Sequence, residues 1–537
     1  MRAPPIVPLP ITLVIAGTTL LRLAFAATTG LGVDESYMVA AGRVPGLGYF
    51  DHPPASWWLS WGAAHLFGSE SPVVVRLPFI LLFALSQGLM YRIGCLVADR
   101  RAGFWAVVAL NLSPVFGVTT GTWVLPDGPL DAALLGAALC LLRALADGPD
   151  GAPDGVPDGA SGGASGGTPN GTPNGTPASA PDAHRRGRRS GLGWWVGAGM
   201  CAGLALFSKY TAVLTIGGAG LYLVFSPRDR VWLARPGPYM AAVLALAVFS
   251  PVPLWNAAHG WASFAFQGDR AVGLRFQPWM PLTVLGGEAL FVLPWIWVPM
   301  MLLWVDAFRR GAPWTHRLLA WLAAPPIVAF ALISAWSGQR ILFHWAAPGY
   351  LMLFPLLGQA IGGAVAARWV RRTIAATGCL VVAVVAVIST QMQLDWLGGA
   401  AASVLRKDPT DEGLDWTSVR DDLRARGLLR DGAVVAVMNW RDGGKFGYAL
   451  GPGVTVLVLD RDSRQFGFAH PLAAFAGTDM LVLSVDPPER ALAAAARWFD
   501  GVSVLPGASV RLDGRVLRPV TVLWGRGLRQ DPVARVR

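Results

Sequence analysis

Charge is what this sequence has least of. Of its 537 residues only 14% are Asp, Glu, Lys or Arg, while 53% are hydrophobic. A soluble protein carries about 25% charged residues, so a water-soluble globule of this length is excluded. Cysteine is also scarce. Cys95, Cys140, Cys201 and Cys379 all lie in or at the edge of apolar runs. The tail after residue 394 has none, so that part folds without disulfides, and no Cys or His pair has zinc-finger spacing. Neither a Walker-type phosphate loop nor a dinucleotide fingerprint occurs, so a soluble nucleotide donor is not indicated. The first apolar run lacks a small-residue cleavage pattern followed by soluble chain, and it reads as a retained anchor.

What is present is a succession of apolar runs long enough to span a bilayer, which takes roughly 20 residues each. Spans are expected near 8–29, 72–97, 103–121, 126–145, 191–207, 211–226, 239–257, 284–305, 318–335, 341–364 and 373–391. After them the runs stop. The expected fold is a polytopic α-helical membrane protein of about 11–13 transmembrane helices with a small C-terminal α/β domain. The net charge of +11 would suit a nucleic-acid partner, but its placement argues against one. With a cytoplasmic N-terminus, about 18 Lys and Arg fall in the inner connections and about 6 in the outer ones, as the positive-inside rule demands. The inner connections include "RRGRR" (185–189) and "RWVRR" (368–372). This orientation places Asp34 to Glu70, Trp255 to Pro281 and the whole tail outside the cytoplasm.

Four regions follow. Residues 1–146 form an N-terminal membrane part with an external first loop at 30–71. Residues 147–190 are a Gly/Pro/Asp/Ser/Thr-rich insert with too few apolar side chains to offset ordering entropy, and a disordered cytoplasmic linker is expected. Residues 191–394 are a second membrane part, and 395–537 a soluble α/β domain. In that domain 433–440, 454–460 and 480–485 read as buried strands. Residues 416–429 and 488–500 read as helices, and 510–527 as a hairpin around Asp513–Gly514.

The chemistry concentrates in the external loops. Asp34 and Glu35 follow an apolar helix end directly, where a charge in the membrane proper is costly. Adjacent acids point in different directions, so one can face a cavity while the other caps the next helix. Asp51-His52-Pro53-Pro54 follows, its prolines holding the preceding backbone extended. A rigid Asp-His pair can present a carboxylate or imidazole to a metal or a phosphate; a plain cap or surface pair is the simpler reading. Tryptophans 57, 58 and 61 recur at helical spacing, as an interfacial aromatic belt does. On the same side lie Asp127, Lys209, His259, Arg270 and Arg340. Acids, imidazoles and cations on one membrane edge suit group transfer from a lipid phosphate. A carboxylate takes the proton of an attacking hydroxyl, and cations, with or without a metal, stabilise the leaving phosphate.

The ordered fragments "DESY…GYFDHPP…RLP…PDGPL…SKYTA…PVPLWNAAHGWASFAFQ" resemble the bacterial family related to dolichyl-phosphate-mannose protein mannosyltransferases, a group that includes the lipid A aminoarabinose transferase. The resemblance covers roughly residues 10–345, and "NWRDGGKFGYALG" (439–451) resembles that group's external domain. It implies the GT-C architecture, a catalytic first external loop and a polyprenyl-phosphate sugar as donor. It further implies Asp34 as general base in a catalytic pair with Glu35, and a divalent metal ion at Asp51 with His259. His52, Asp127, Lys209, Arg270 and Arg340 would contact the donor phosphate or substrate. In the aminoarabinose transferase Glu-Lys precedes the Pro-Pro, so His52 stands here in place of a lysine.

The function expected is an integral membrane glycosyltransferase that passes a sugar, with inversion, to a lipid, glycan or protein acceptor in the cell envelope. The alternative is a transporter or flippase of a glycolipid or polyprenyl-linked precursor. Arg22 and Glu288 lie in or near spans, yet no inverted repeat is visible and the polar residues crowd one edge, which disfavours transport. Arg441, Lys445 and Arg464 of the tail could meet an anionic glycolipid, but a solvated basic surface is the simpler reading.

Overall fold

The computed structural model describes residues 9–146, 181–271, 276–337, 341–396, 413–512 and 514–529, with backbone only for 181–190 and 270–271. Among the described residues six helices are long and apolar enough to cross a membrane: Leu9–Thr28, Pro72–Val97, Asp127–Ala146, Gly191–Ser208, Trp314–Ser334 and Arg368–Leu394. Two bent pairs raise this to as many as eight if each pair counts as one span. Pro236–Phe249 and Pro251–Ala258 meet at 46°, and Met280–Val292 and Pro294–Asp306 at 116°. The chain is thus a multi-span membrane protein, with fewer continuous spans than its hydropathy leads one to expect.

Local breaks account for the difference. The run over 103–121 stops at Ser113–Pro114, giving Arg100–Leu112 and then a π-helical turn, Val115–Thr120. Ala212–Phe225 is a helix of only 14 residues. The run over 341–364 divides into Ala347–Leu351 and Phe354–Ala364, each with a proline in its first turn. Proline at a helix start costs nothing there but blocks continuation from the preceding turn. Most of the insert lies outside the described residues, and the helix Pro181–Ser208 already begins within the stretch expected to be unstructured up to residue 190.

Irregular backbone inside a membrane needs partners for its carbonyls. At the π turn the partner is Arg22. Its Nη2 donates to Gly117 O at 2.7 Å and to Asn111 Oδ1 at 2.9 Å, and its Nη1 to Thr18 O at 2.9 Å. The guanidinium also sits over the Phe83 ring at 4.2 Å. This intramembrane cation therefore has a structural employment.

The C-terminal domain is built on one five-stranded sheet, in the order β2-β1-β3-β5-β4. β1 (Val434–Val437), β2 (Thr455–Val458) and β3 (Met480–Ser484) are parallel. β4 (Phe499–Leu512) and β5 (Arg515–Leu528) form a long antiparallel hairpin, and β5 runs antiparallel to β3. The hairpin begins earlier than the pattern indicates. The helix expected over 488–500 ends at Ala495, and Phe499 already belongs to β4. A further helix, Trp440–Leu450, covers the sheet with Asn439 as its cap, whose side chain accepts from Asp442 N.

One hydrophobic core joins this domain to the first loop. Tyr37, Met38 and Ala41 of the loop helix Val33–Ala41 are buried together with Val435, Phe446, Val456 and Val522. Trp57 is fully buried in the same cluster, edge-on to Tyr37 at 5.3 Å and stacked on Tyr49 at 4.4 Å. It is a core residue and not part of an interfacial belt. The glycines of "GGKFG" allow the contact. A Cβ on Gly444 would lie 2.8 Å from Tyr37 N and 2.9 Å from Tyr37 Cα, and one on Gly447 would lie 2.9 Å from Ala40 Cβ. Two helix backbones touch here with no side chain between them.

A valine at 444 therefore has to push backbone away from backbone. Gly444→Val is expected to cost about 1–3 kcal/mol and to lower the detergent-solubilised melting temperature while opening the C-terminal domain to proteolysis. Gly62→Ala, where a Cβ meets nothing within 4 Å, serves as the control and should leave both measurements unchanged.

Candidate functional site

A cavity of about 470 Å³ lies where the membrane helices, the first loop and the C-terminal domain meet. Its membrane side is apolar, with Val213, Leu214, Phe330, Ile333, Ile341 and Leu342 among its walls. The opposite side is polar and mixed in sign: Asp34, Asp51, His52, Asp127, Lys209, Arg441 and Arg464 all line it. Aromatic surface comes from Tyr37, Tyr210, Trp345 and Trp440.

The acidic pair of the first loop is divided between two tasks. Asp34 is exposed and faces the cavity. Glu35 is 2% exposed and lines no part of it. Its Oε2 accepts from Gly32 N at 2.9 Å, closing a capping box at the helix start. Its Oε1 accepts from Val124 N at 3.0 Å. Arg76, in the apolar helix Pro72–Val97, donates to both oxygens, at 2.7 Å from Nε and 2.6 Å from Nη2. The remaining Arg76 donors reach Thr29 O, Thr29 Oγ1 and Gly30 O. The catalytic role expected for Glu35 thus gives way to a positioning one. Burial pushes this carboxyl up, but the Arg76 charge and the hydrogen bonds outweigh it and hold the group below the usual range.

Asp51 is buried at the centre of a second network. Its Oδ1 accepts from Tyr37 OH at 3.1 Å and its Oδ2 from Arg464 Nη1 at 3.2 Å. Its own carbonyl accepts from Gln267 Nε2 at 2.6 Å. Burial, followed by the Asp51 charge, pushes the Tyr37 phenol up, so Tyr37 stays a donor at any physiological pH. Gln465 N in turn donates to Tyr37 OH, and Phe50 N donates to Gln465 Oε1. Residues 464 and 465 of the C-terminal domain therefore grip "GYFDHPP" from above. Pro54 then starts the helix Ala55–Phe67 and fixes where that loop turns back.

At the membrane edge Lys209 Nζ donates to Asp127 Oδ1 at 2.8 Å, with both side chains nearly buried. Asp127 opens the helix Asp127–Ala146, where the free N–H groups favour an anion. Lys209 follows the end of Pro181–Ser208, where the helix dipole favours a cation.

A divalent ion at Asp51 does not fit the donors present. Both Asp51 oxygens already accept hydrogen bonds from protein groups. His259 lines no part of the cavity; its Nδ1 is 2.8 Å from Trp255 O and its ring stacks on Trp255 at 4.2 Å. Among the described residues no three His, Cys, Asp or Glu side chains gather to hold a metal. The Arg270 side chain and Arg340 lie outside the described residues.

Sequence reasoning missed Arg76, Tyr37, Trp440 and Gln465. Arg76 alone left a signal, a charge inside an apolar run. The solvated basic surface expected of the tail is also corrected. Lys445 is buried and donates to Leu31 O and Leu414 O at 2.9 and 2.8 Å. Arg441 and Arg464 face the cavity.

The Glu35–Arg76 pair sets a testable pH dependence. Glu35 titrates lower in the folded protein than its unfolded value of about 4.3. Its contribution is complete above that pH and disappears as pH falls through the folded value. Arg76→Met, which strands the carboxylate, should cost about 3–5 kcal/mol. Glu35→Gln/Arg76→Met should recover part of that loss and flatten the acid limb of stability, measured by thermal unfolding between neutral and acidic pH.

Residues 51–151 and 183–255 match the family model described as dolichyl-phosphate-mannose-protein mannosyltransferase. No curated protein matches the chain in sequence. Its fold is similar to ArnT from Cupriavidus metallidurans bound to undecaprenyl phosphate, at 16% identity and a TM-score of 0.59, over 95% of this chain and 97% of that one. The apo form of ArnT from the same organism gives 15% identity and a TM-score of 0.60, with the same coverage. Over the matched segments the chain is similar to the dolichyl-phosphate-mannose-protein mannosyltransferases, and over nearly its whole length it has the GT-C fold.

Proposed function

We propose that this protein is a membrane glycosyltransferase that takes a sugar from a polyprenyl-phosphate donor and passes it to a lipid, glycan or protein acceptor on the extracytoplasmic face. The observation that carries this reading is the two-sided cavity. An apolar wall of membrane helices faces a polar wall in which carboxylates and cations converge. A lipid-linked sugar needs both: hydrocarbon beside its tail, charge beside its phosphate. ArnT shares the fold and binds undecaprenyl phosphate, which supports the same class of donor here.

Asp34 is the general base in this scheme. It is the cavity acid that is exposed, whereas Asp51 and Asp127 are buried against cations. The acceptor hydroxyl oxygen attacks the anomeric carbon from the face opposite the phosphate and gives its proton to the Asp34 carboxylate. The bond from anomeric carbon to phosphate oxygen breaks, and the polyprenyl phosphate leaves with the electron pair. The configuration inverts. Lys209, poised between Asp127 and the cavity, stabilises the charge gathering on the leaving phosphate.

The bent pair at Leu293, with the buried Glu288 accepting from Tyr350 OH, is the feature that favours transport instead. Broken helices with intramembrane carboxylates occur in transporters. In proteoliposomes given a polyprenyl-phosphate sugar, Asp34→Asn should lower sugar transfer by about 10²–10⁴-fold while donor binding persists. Full transfer in that variant rules out the proposed base. Lipid movement across the bilayer that is indifferent to Asp34→Asn, with no transfer by the wild type, would instead establish the transporter.

A further inference from the structure

Arg464 is an unusual visitor to the cavity. It belongs to the C-terminal domain, yet its guanidinium lies against the first loop, paired with Asp51 at 3.2 Å. Aromatic faces hold it from two other segments, with the Trp440 ring centroid at 3.9 Å and that of Phe266 at 5.3 Å. Its backbone adopts φ 49° and ψ −139°, a conformation that costs a non-glycine residue about 1–3 kcal/mol and persists only where its surroundings enforce it.

Among the described residues the only hydrogen bond of its side chain is the one from Nη1 to Asp51. A guanidinium has five N–H donors, and the Nε of Arg464 is buried with no hydrogen-bond acceptor. The nearest anionic atom to Nε, Asp462 Oδ1, is 3.6 Å away, too far for a bond. A buried donor without an acceptor is costly, and here it belongs to a residue that lines an open cavity.

We infer that Arg464 is the built-in cation of this site. It occupies the place beside Asp51 that a divalent ion would need, and it presents its remaining donors to an anionic oxygen of the substrate. The substrate half of this inference rests on the transferase reading above; the metal half stands on the Asp51 geometry alone. A planar guanidinium suits the task, because its parallel donors match two oxygens of one phosphate or carboxylate. Asp51 and Trp440 fix its plane, so little freedom is lost when an oxyanion binds. The oxyanion is either the donor's phosphate or an acidic group on the acceptor, and the two differ in the probe that detects them.

The test uses full-length protein in lipid nanodiscs. After equilibration with Zn²⁺, Mn²⁺ or Mg²⁺, elemental analysis should find no stoichiometric metal that depends on Asp51. One equivalent in the wild type that vanishes in Asp51→Ala overturns the inference. Binding of undecaprenyl phosphate and of bis-phosphorylated lipid A is then compared between wild type and Arg464→Gln. A loss of about ten- to a hundredfold is expected for one of them. Loss for the first assigns Arg464 to the donor phosphate, and loss for the second assigns it to the acceptor. Arg464→Lys should recover part of the affinity. Gln465→Ala removes a docking bond to the loop and keeps the guanidinium, so it should lose less affinity than Arg464→Gln does. Equal losses in Gln465→Ala and Arg464→Gln would reduce Arg464 to a docking residue, and unchanged binding in Arg464→Gln also defeats the inference. A wild type that binds neither lipid contradicts the transferase reading, while the metal measurement still decides the role beside Asp51.

Discussion

The arrangement depends on a guanidinium buried at the end of an apolar helix. Arg76 has one carboxylate partner, Glu35, and three further acceptors on Thr29 and Gly30. A lone charge there would be prohibitively costly, so the first loop must fold back and supply those acceptors. Once it does, the helix Val33–Ala41 has a fixed start and a fixed rotation. Asp34 then faces the cavity, and Tyr37 faces Asp51. The same carboxylate takes Val124 N, so the turn leading to Asp127 is set by the same pair. One ion pair thus orders three otherwise separate acids around a common space.

The second determinant is that the C-terminal domain is a wall of that space as well as a cover. Trp440 and Arg441 occupy the first turn of a helix whose cap, Asn439, points that turn toward the cavity. Arg464 and Gln465 come from the strained start of another short helix, Gln465–Ala469. Three carboxylates, Asp34, Asp51 and Asp127, and three cations, Lys209, Arg441 and Arg464, line the cavity, so its field is patterned and not simply positive. The net charge of the whole protein says little about it.

Sequence reasoning recovered the parts of this picture that depend on local pattern. Apolar runs gave a polytopic membrane protein, and β-branched runs gave three buried strands near their observed places, though not their parallel pairing. The polar residues Asp34, Asp51, His52, Asp127 and Lys209 do share one cavity. What escaped notice depends on distant partners. Glu35 reads as an acid like its neighbour until Arg76 is seen to hold both of its oxygens. Trp57 reads as a membrane-interface tryptophan, because nothing local reveals that Tyr49 and Tyr37 enclose it. Lys445 reads as a surface lysine, although two carbonyls from other segments surround its ammonium. Where the apolar runs are interrupted was not legible, because hydropathy measures apolarity, whereas breaks such as Leu293, with φ 84°, are set by tertiary packing.

The core shared by Val33–Ala41 and the C-terminal sheet also bears on how the protein is made. Arg43 donates to Gly447 O, a partner 404 residues later in the chain. During synthesis the first loop is therefore made long before its other half exists. Tyr37, Met38 and Trp57 wait with their apolar faces uncovered while helix after helix is inserted. Contacts of such sequence separation form slowly, and uncovered apolar surface invites misassembly. The nascent protein thus passes through a stage in which its membrane part is nearly complete and its cavity has no roof.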